Sequence, residues 1–365
     1  MFSHKNLFLC LLLFICFNEN LVAQSNNAFR VSFIIDYSSA EETLNYFEWK
    51  YSNVQQIANL PGNRLAIATS ILLSRENVPP SDFLIQIESA RGGISNPVDR
   101  YGLAIIRERT ADLRKLLNQV KSLQLDRRIS ATLAGYFPDD RTIEATFPVY
   151  IVAFGNDRAA AVVRKVRWEN QKPIFTEDGE PTILLNLSRF LDAGSDPQSQ
   201  AFAVMVTLTH ECFHTVYSIF EDLLPDSLKP STPAEQLLEL VHNEGIAYYL
   251  SLELQRQGNP LSTVWFQETA KSIETLKSAL KEISSPYTPP SRVRELILNA
   301  NLSGSFTANY GVAAGQRMAY EIDTRLGRRA LTQSIPLGFR EFVRLYNQCA
   351  QYDSSLPKLD EVILK

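Results

Sequence analysis

The sequence predicts an α+β protein that is mainly helical, with a small sheet ahead of one long buried helix. Three observations carry this. Apolar residues recur at helical spacing over most of the chain, as in Leu103 to Leu125 and Tyr310 to Leu326. Two short β-branched or aliphatic runs, Thr146 to Phe154 and Pro181 to Leu187, interrupt that pattern mid-chain. Between the second run and a Pro-rich linker, Phe202 to Phe220 is apolar nearly all round, the mark of a buried helix.

The elements follow in order. Lys5 precedes an unbroken apolar run, Leu7 to Phe17, too short to span a bilayer but suited to a signal peptide. Cleavage just after Ala23 or Gln24 is expected, giving an exported protein, periplasmic or secreted; the alternative is an uncleaved anchor. No later segment has 18 consecutive apolar residues, so no stable membrane insertion is expected after signal removal. Phe29 to Ile35 reads as a strand. Ser38 or Ser39 then caps a helix through about Lys50, with Glu41 and Glu42 where the helix dipole favours acids. Ile57 to Leu73 and Leu103 to Leu125 read as helices, punctuated by Pro79-Pro80-Ser81-Asp82 and Gly92-Gly93. After the two strands and the buried helix, Thr232-Pro233-Ala234-Glu235 forms a capping box with Pro at the first helical position, opening a helix through about Gln255. Further helices are expected over Val264 to Ile283, Val293 to Asn299, Tyr310 to Leu326 and Gly338 to Ala350. This organisation suggests four parts: a signal over 1–24, a mixed and mostly helical region over 25–137, a core carrying the buried helix over 138–262, and a helical C-terminal region over 263–365.

Composition bounds the function without naming it. The chain has 365 residues, 45% hydrophobic and 21% charged, which is globular rather than disordered. Its net charge of −4 and lack of a basic run argue against nucleic-acid binding. Cys10 and Cys16 lie in the signal; Cys212 and Cys349 are expected as buried thiols, with one disulfide as the alternative.

The buried helix contains His210-Glu211-Cys212-Phe213-His214, an HExxH motif. Four residues are about 40° of rotation and one turn of rise, so both imidazoles leave one face at the spacing a tetrahedral zinc ion takes. Glu211 lies about 60° from His214 around the helix, beside such an ion without ligating it, placed to act as a general base. With only four histidines in the chain, the chance expectation of this motif is roughly a few thousandths. The bland reading is two satisfied core histidines and a buried acid, which is costly without partners.

A third ligand is needed. Glu244, in Val241-His242-Asn243-Glu244-Gly245, is the best candidate: an acid between Leu240 and Tyr248 on an otherwise buried stripe, reached by an antiparallel return through the Pro-rich linker. Gly245 and Ala247 would let this helix pack closely on the first. Glu221, Asp222 and Asp226 are weaker candidates, and a surface role for Glu244 stays open. His242 lies about 200° from Glu244, so it should face away.

HECFH followed by NEGIA resembles the gluzincin pattern of thermolysin-like zinc metallopeptidases, and the wider stretch 130–255 resembles uncharacterised bacterial zinc-dependent peptidases. The resemblance implies a zincin-like catalytic domain, Zn2+ held by His210, His214 and Glu244, and a zinc-activated water deprotonated by Glu211 to hydrolyse a peptide or protein substrate. It also implies a strand that binds the substrate backbone, a part either predicted strand could play, and a donor for the tetrahedral oxyanion, proposed as Tyr310 with Tyr248 and Tyr249 as rivals. Two features depart from the pattern: Cys212 replaces a small residue, and Glu244 lies farther along than in thermolysin. Two other readings are a non-catalytic binding protein on the same scaffold and a zinc hydrolase of non-peptide substrates.

Overall fold

A computed structural model describes residues 29–359 apart from 51–52, 75–77, 80, 95, 156–159, 302–305 and 354–355. The apolar leader 1–24 lies outside the described residues. The chain is α+β and mainly helical, with every described strand ahead of the HExxH helix.

The sheet has five strands: β1 (Phe29–Asp36), β2 (Ile143–Val152), β3 (Ala161–Glu169), β4 (Lys172–Phe175) and β5 (Glu180–Asn186), in spatial order β1-β2-β5-β3-β4. β1, β2 and β5 run parallel, whereas β3 is antiparallel to both β5 and β4. In β1 the period-two rule is visible directly, with Val31 and Phe33 buried and Ser32 and Ile34 exposed. The β3–β4 hairpin has no counterpart in the sequence reading. It turns at Asn170 and Gln171, both at positive φ (48° and 62°), a two-residue turn without the glycine that usually signals it. β2 and β5, the two strands offered above for substrate binding, are both interior, so neither is free to bind a substrate backbone. The half of β3 over Ala161 to Lys165 pairs with β5, while β4 covers only Val166 to Glu169.

The N-terminal helices are more broken than apolar spacing suggested. Ile57 to Leu73 divides into α2 (Val54–Ala58) and α3 (Pro61–Ser74), after α1 (Ser38–Phe47), because Pro61 has no N–H to continue the earlier turn. The N-cap is Tyr37 rather than Ser38 or Ser39 and makes no side-chain cap; one residue earlier, the Asp36 carboxylate accepts from the Ser38 N–H at 2.7 Å. α4 (Ser81–Arg91) follows. Leu103 to Leu125 becomes α5 (Leu103–Glu108) and α6 (Thr110–Ser122), then α7 (Leu125–Ala134). The break falls at Arg109, whose guanidinium is drawn out to Asp192 at 2.6 Å.

Two long helices position the site. α8 (Pro197–Leu223) is opened by a capping box in which Asp196 accepts from the N–H groups of Gln198 and Ser199. It lies against β3 and β5 and is clasped by α6 and α7. Phe137 stacks on Phe213 and Phe220, securing its apolar side. α9 (Pro233–Arg256) begins at the expected Thr232 capping box and returns along α8. The C-terminal helices α10 (Thr263–Ile283), α11 (Pro290–Asn301), α12 (Tyr310–Leu326), α13 (Arg328–Ser334) and α14 (Phe339–Gln351) close the far side. One glycine pair sets the tightest crossing. A Cβ at Gly245 would lie 2.5 Å from the Gly315 backbone, and one at Gly315 only 2.2 Å from the Val241 carbonyl oxygen. Gly245 thus serves the approach of α9 to α12, not to α8 as expected. Cys212 and Cys349 are both buried and unpaired.

Candidate metal centre

α8 and α9 each turn one face into a shared cleft. His210 and His214 leave α8 one turn apart, and their Nε2 atoms are 3.0 Å from each other. Glu244 arrives from α9, with Oε2 3.6 Å from His210 Nε2 and 3.4 Å from His214 Nε2. A tetrahedral zinc ion with bonds of about 2.0–2.1 Å sets its ligand atoms about 3.3 Å apart. The three side chains therefore fit the ion their chemistry suggests: two neutral nitrogens and one carboxylate oxygen converging on one point. His214 and Glu244 also act on each other electrostatically. Burial lowers the pKa of His214, but the hydrogen bond and charge of Glu244 outweigh it and raise the pKa overall. Burial raises the pKa of Glu244, and its contacts with His210 and His214 pull it well below the usual carboxylate range.

Each of the three has an outer partner. Asn243 Oδ1 lies 2.7 Å from His214 Nδ1, Ser251 Oγ lies 3.4 Å from His210 Nδ1, and Asn301 Nδ2 donates to Glu244 Oε1 at 2.7 Å. An acceptor on Nδ1 makes that nitrogen the N–H and leaves the Nε2 lone pair facing the cluster. Asn243 adjoins Glu244 in sequence, yet only the packing of α8 on α9 brings it to His214.

Glu211 lines a cleft of about 420 Å3 beside the cluster, with His210, Tyr248, Leu252, Trp265 and Phe306. Tyr248 sits one turn beyond Glu244, its ring edge-on to His210 at 4.6 Å between centroids. Burial, with the charges of Glu244 and Glu211, raises its hydroxyl pKa to about 12, so it is a neutral O–H donor at ordinary pH. Tyr310 is not brought to this cluster: it is buried, and its hydroxyl donates to the Leu296 carbonyl at 2.7 Å. The small helix-opening glycine beside it gave no sign of that. Tyr249 is also turned away, donating to Asp323 at 2.5 Å. Arg164 on β3 is held close enough to Glu211 to feel its charge, which opposes the lowering of its pKa by burial.

His242 faces away from the cluster, as the helix geometry required. It is fully buried, with Nδ1 2.8 Å from the Tyr217 hydroxyl and Nε2 3.0 Å from Ser334 Oγ. Tyr217 also donates to Glu239 at 2.6 Å. Burial holds His242 neutral, its pKa lowered to about 3, and raises Glu239 to about 7.

Two helices behind a five-stranded sheet thus bring the two histidines of an HExxH motif and a glutamate together as a group that could hold one metal ion, beside a second glutamate. The chain belongs to the family described as "Putative zinc dependent peptidase (DUF5700)", whose sequence profile matches residues 36–355. No curated protein and no solved structure matches it.

Proposed function

We propose that this chain is a zinc metallopeptidase that hydrolyses peptide bonds with Glu211 as general base. The observation that carries the reading is the His210, His214 and Glu244 cluster, spaced as zinc requires, with Glu211 on the wall of the adjoining cleft. His210, His214 and Glu244 would hold the ion, which when bound polarises a carbonyl and lowers the pKa of a water toward about 7. Glu211 then takes the proton from the attacking water and returns it to the nitrogen of the leaving amine, so the carboxylate ends as it began. Tyr248 donates its O–H to the oxygen that gains negative charge in the tetrahedral intermediate, the part first given to Tyr310. The substrate backbone would lie against the part of β3 that β4 does not pair with, Ala161 to Arg164, as an added strand. We also propose export to the periplasm or beyond, on the apolar leader read from sequence; among the described residues no helix is long and apolar enough to cross a membrane.

The test is metal content by mass spectrometry on the protein and its His214→Ala variant, followed by a peptide-library screen with Glu211→Gln as the blank. About one zinc per chain, lost in His214→Ala, with cleavage lost in Glu211→Gln, supports the reading. No metal in the parent protein after reconstitution would overturn it.

A further inference from the structure

The two oxygens of Glu244 are not equivalent. Oε2 faces the His210 and His214 nitrogens, at 3.6 and 3.4 Å. Oε1 accepts a hydrogen bond of 2.7 Å from Nδ2 of Asn301. Asn301 is the last residue of α11, a helix that packs against α9 from the C-terminal part of the chain. It is not adjacent in sequence to any metal-binding candidate, and no motif marks it.

We propose that Asn301 is a positioning residue that commits Glu244 to a single ligand oxygen; this rests on the zinc reading above. A carboxylate can bind a cation through one oxygen or both. Which it does depends on rotation about its last bond, and an outer-shell hydrogen bond fixes that rotation. With Oε1 held by an N–H donor, only Oε2 is presented to an ion. The protein then contributes three ligand atoms, and the remaining positions stay open for water and a substrate carbonyl, as a catalytic zinc site needs. Without the amide, Oε1 would be free to turn inward and occupy one of those positions. The donor is also neutral. A Lys or Arg in its place would pair with the carboxylate and weaken it as a ligand, whereas the amide orients the carboxylate while leaving its charge for the ion.

The experiment is cobalt substitution of the full chain, since the visible spectrum of Co2+ reports coordination number without any peptide being cleaved. The parent protein should give the intense bands of a four-coordinate ion. Asn301→Ala should lose intensity toward a five-coordinate spectrum and lower kcat about 10–100-fold with KM little changed. Asn301→Gln, which can still donate an N–H, should recover part of both. A cobalt spectrum and kcat in Asn301→Ala that match the parent would overturn the proposal while leaving the zinc reading intact. A parent that binds no cobalt would overturn both. Zinc-edge X-ray absorption on the parent needs no variant: both Glu244 oxygens at bonding distance would overturn the single-oxygen assignment even if Asn301→Ala fails to fold.

Discussion

At the scale of single residues, the proposed mechanism separates groups that would hold a metal from groups that would move protons. Glu211 belongs to the second kind, so Glu211→Gln should retain zinc by mass spectrometry while kcat falls by a factor on the order of 10²–10⁴. Tyr248→Phe should lower kcat by roughly 10²–10³ with KM nearly unchanged, the signature of a donor that acts only on the developing charge. Tyr310→Phe makes a contrast. It deletes a buried hydrogen bond to Leu296 and should cost about 1 kcal/mol of stability in urea titrations without that loss of kcat. The buried His242–Tyr217–Glu239 chain has its own pH signature. The pKa of His242 is depressed from 6.5 to about 3, so its contribution is present above pH 6.5 and is lost as pH falls toward 3. The pKa of Glu239 is raised from 4.5 to about 7, so its contribution is present below pH 4.5 and is lost as pH rises through 7. The two oppose each other between pH 4.5 and 6.5, and below that window only the loss at His242 remains. Urea titrations from pH 4.5 to 3 should therefore show a shallower fall in stability for His242→Gln than for the parent.

At the scale of elements, the long helices are fixed by their starts and by one crossing. The Asp196 and Thr232 boxes satisfy backbone N–H groups that the first turns of α8 and α9 would otherwise leave unpaired. The α9–α12 crossing depends on Gly245 and Gly315, where an added methyl would meet backbone atoms that cannot move aside. Gly315→Ala should thus destabilise the fold by about 1–3 kcal/mol or more. Because Gly245 adjoins Glu244, the same strain should displace the ligand and weaken zinc binding, measurable by competition with a chromophoric chelator. The helical pattern was legible in the sequence for α8, α9, α10, α12 and α14, each of which carries a sustained apolar face. It was less legible where a tertiary contact overrode local spacing, as at Arg109, or where a turn used Asn170 and Gln171 in place of glycine. The β3–β4 hairpin was missed for that reason.

At the scale of the whole molecule, the cleft is assembled from α8, α9, α10, the segment at Phe306 and α12. Among its described lining residues Glu211 is the only carboxylate, and no Lys or Arg is present. Val206, Leu252, Tyr248, Trp265 and Phe306 give the walls their apolar and aromatic part, and Thr207, Ser251, Gln255 and Gln316 their uncharged polar part. Gln316 fixes Trp265 by accepting from its indole N–H at 2.9 Å and donating to the Tyr248 carbonyl at 2.9 Å. An acidic side chain entering here would lose its hydration beside Glu211 with no cation to pair with, whereas a bulky uncharged one would bury apolar area. Peptide libraries should show preference for large uncharged residues beside the cleaved bond, and Trp265→Ala should reduce that preference while leaving metal content unchanged. Chelation should lower the thermal midpoint, since a ligand at 1,000 times its Kd stabilises the folded state by about 4 kcal/mol.

The sequence by itself determined what helical periodicity encodes. Residues four apart must share a face, so His210 and His214 had to converge, Glu211 had to flank them, and His242 had to turn away from Glu244. Tertiary structure decided everything that depended on two segments meeting. It set Glu244 opposite the imidazoles, put Tyr248 rather than Tyr310 on the cleft wall, brought Asn243 and Asn301 to their partners, and made β2 and β5 interior. The reason is physical: backbone geometry fixes directions within one helix or strand, whereas distances between elements follow from packing, and packing is set by side chains far apart in the chain, such as the Gly245–Gly315 contact.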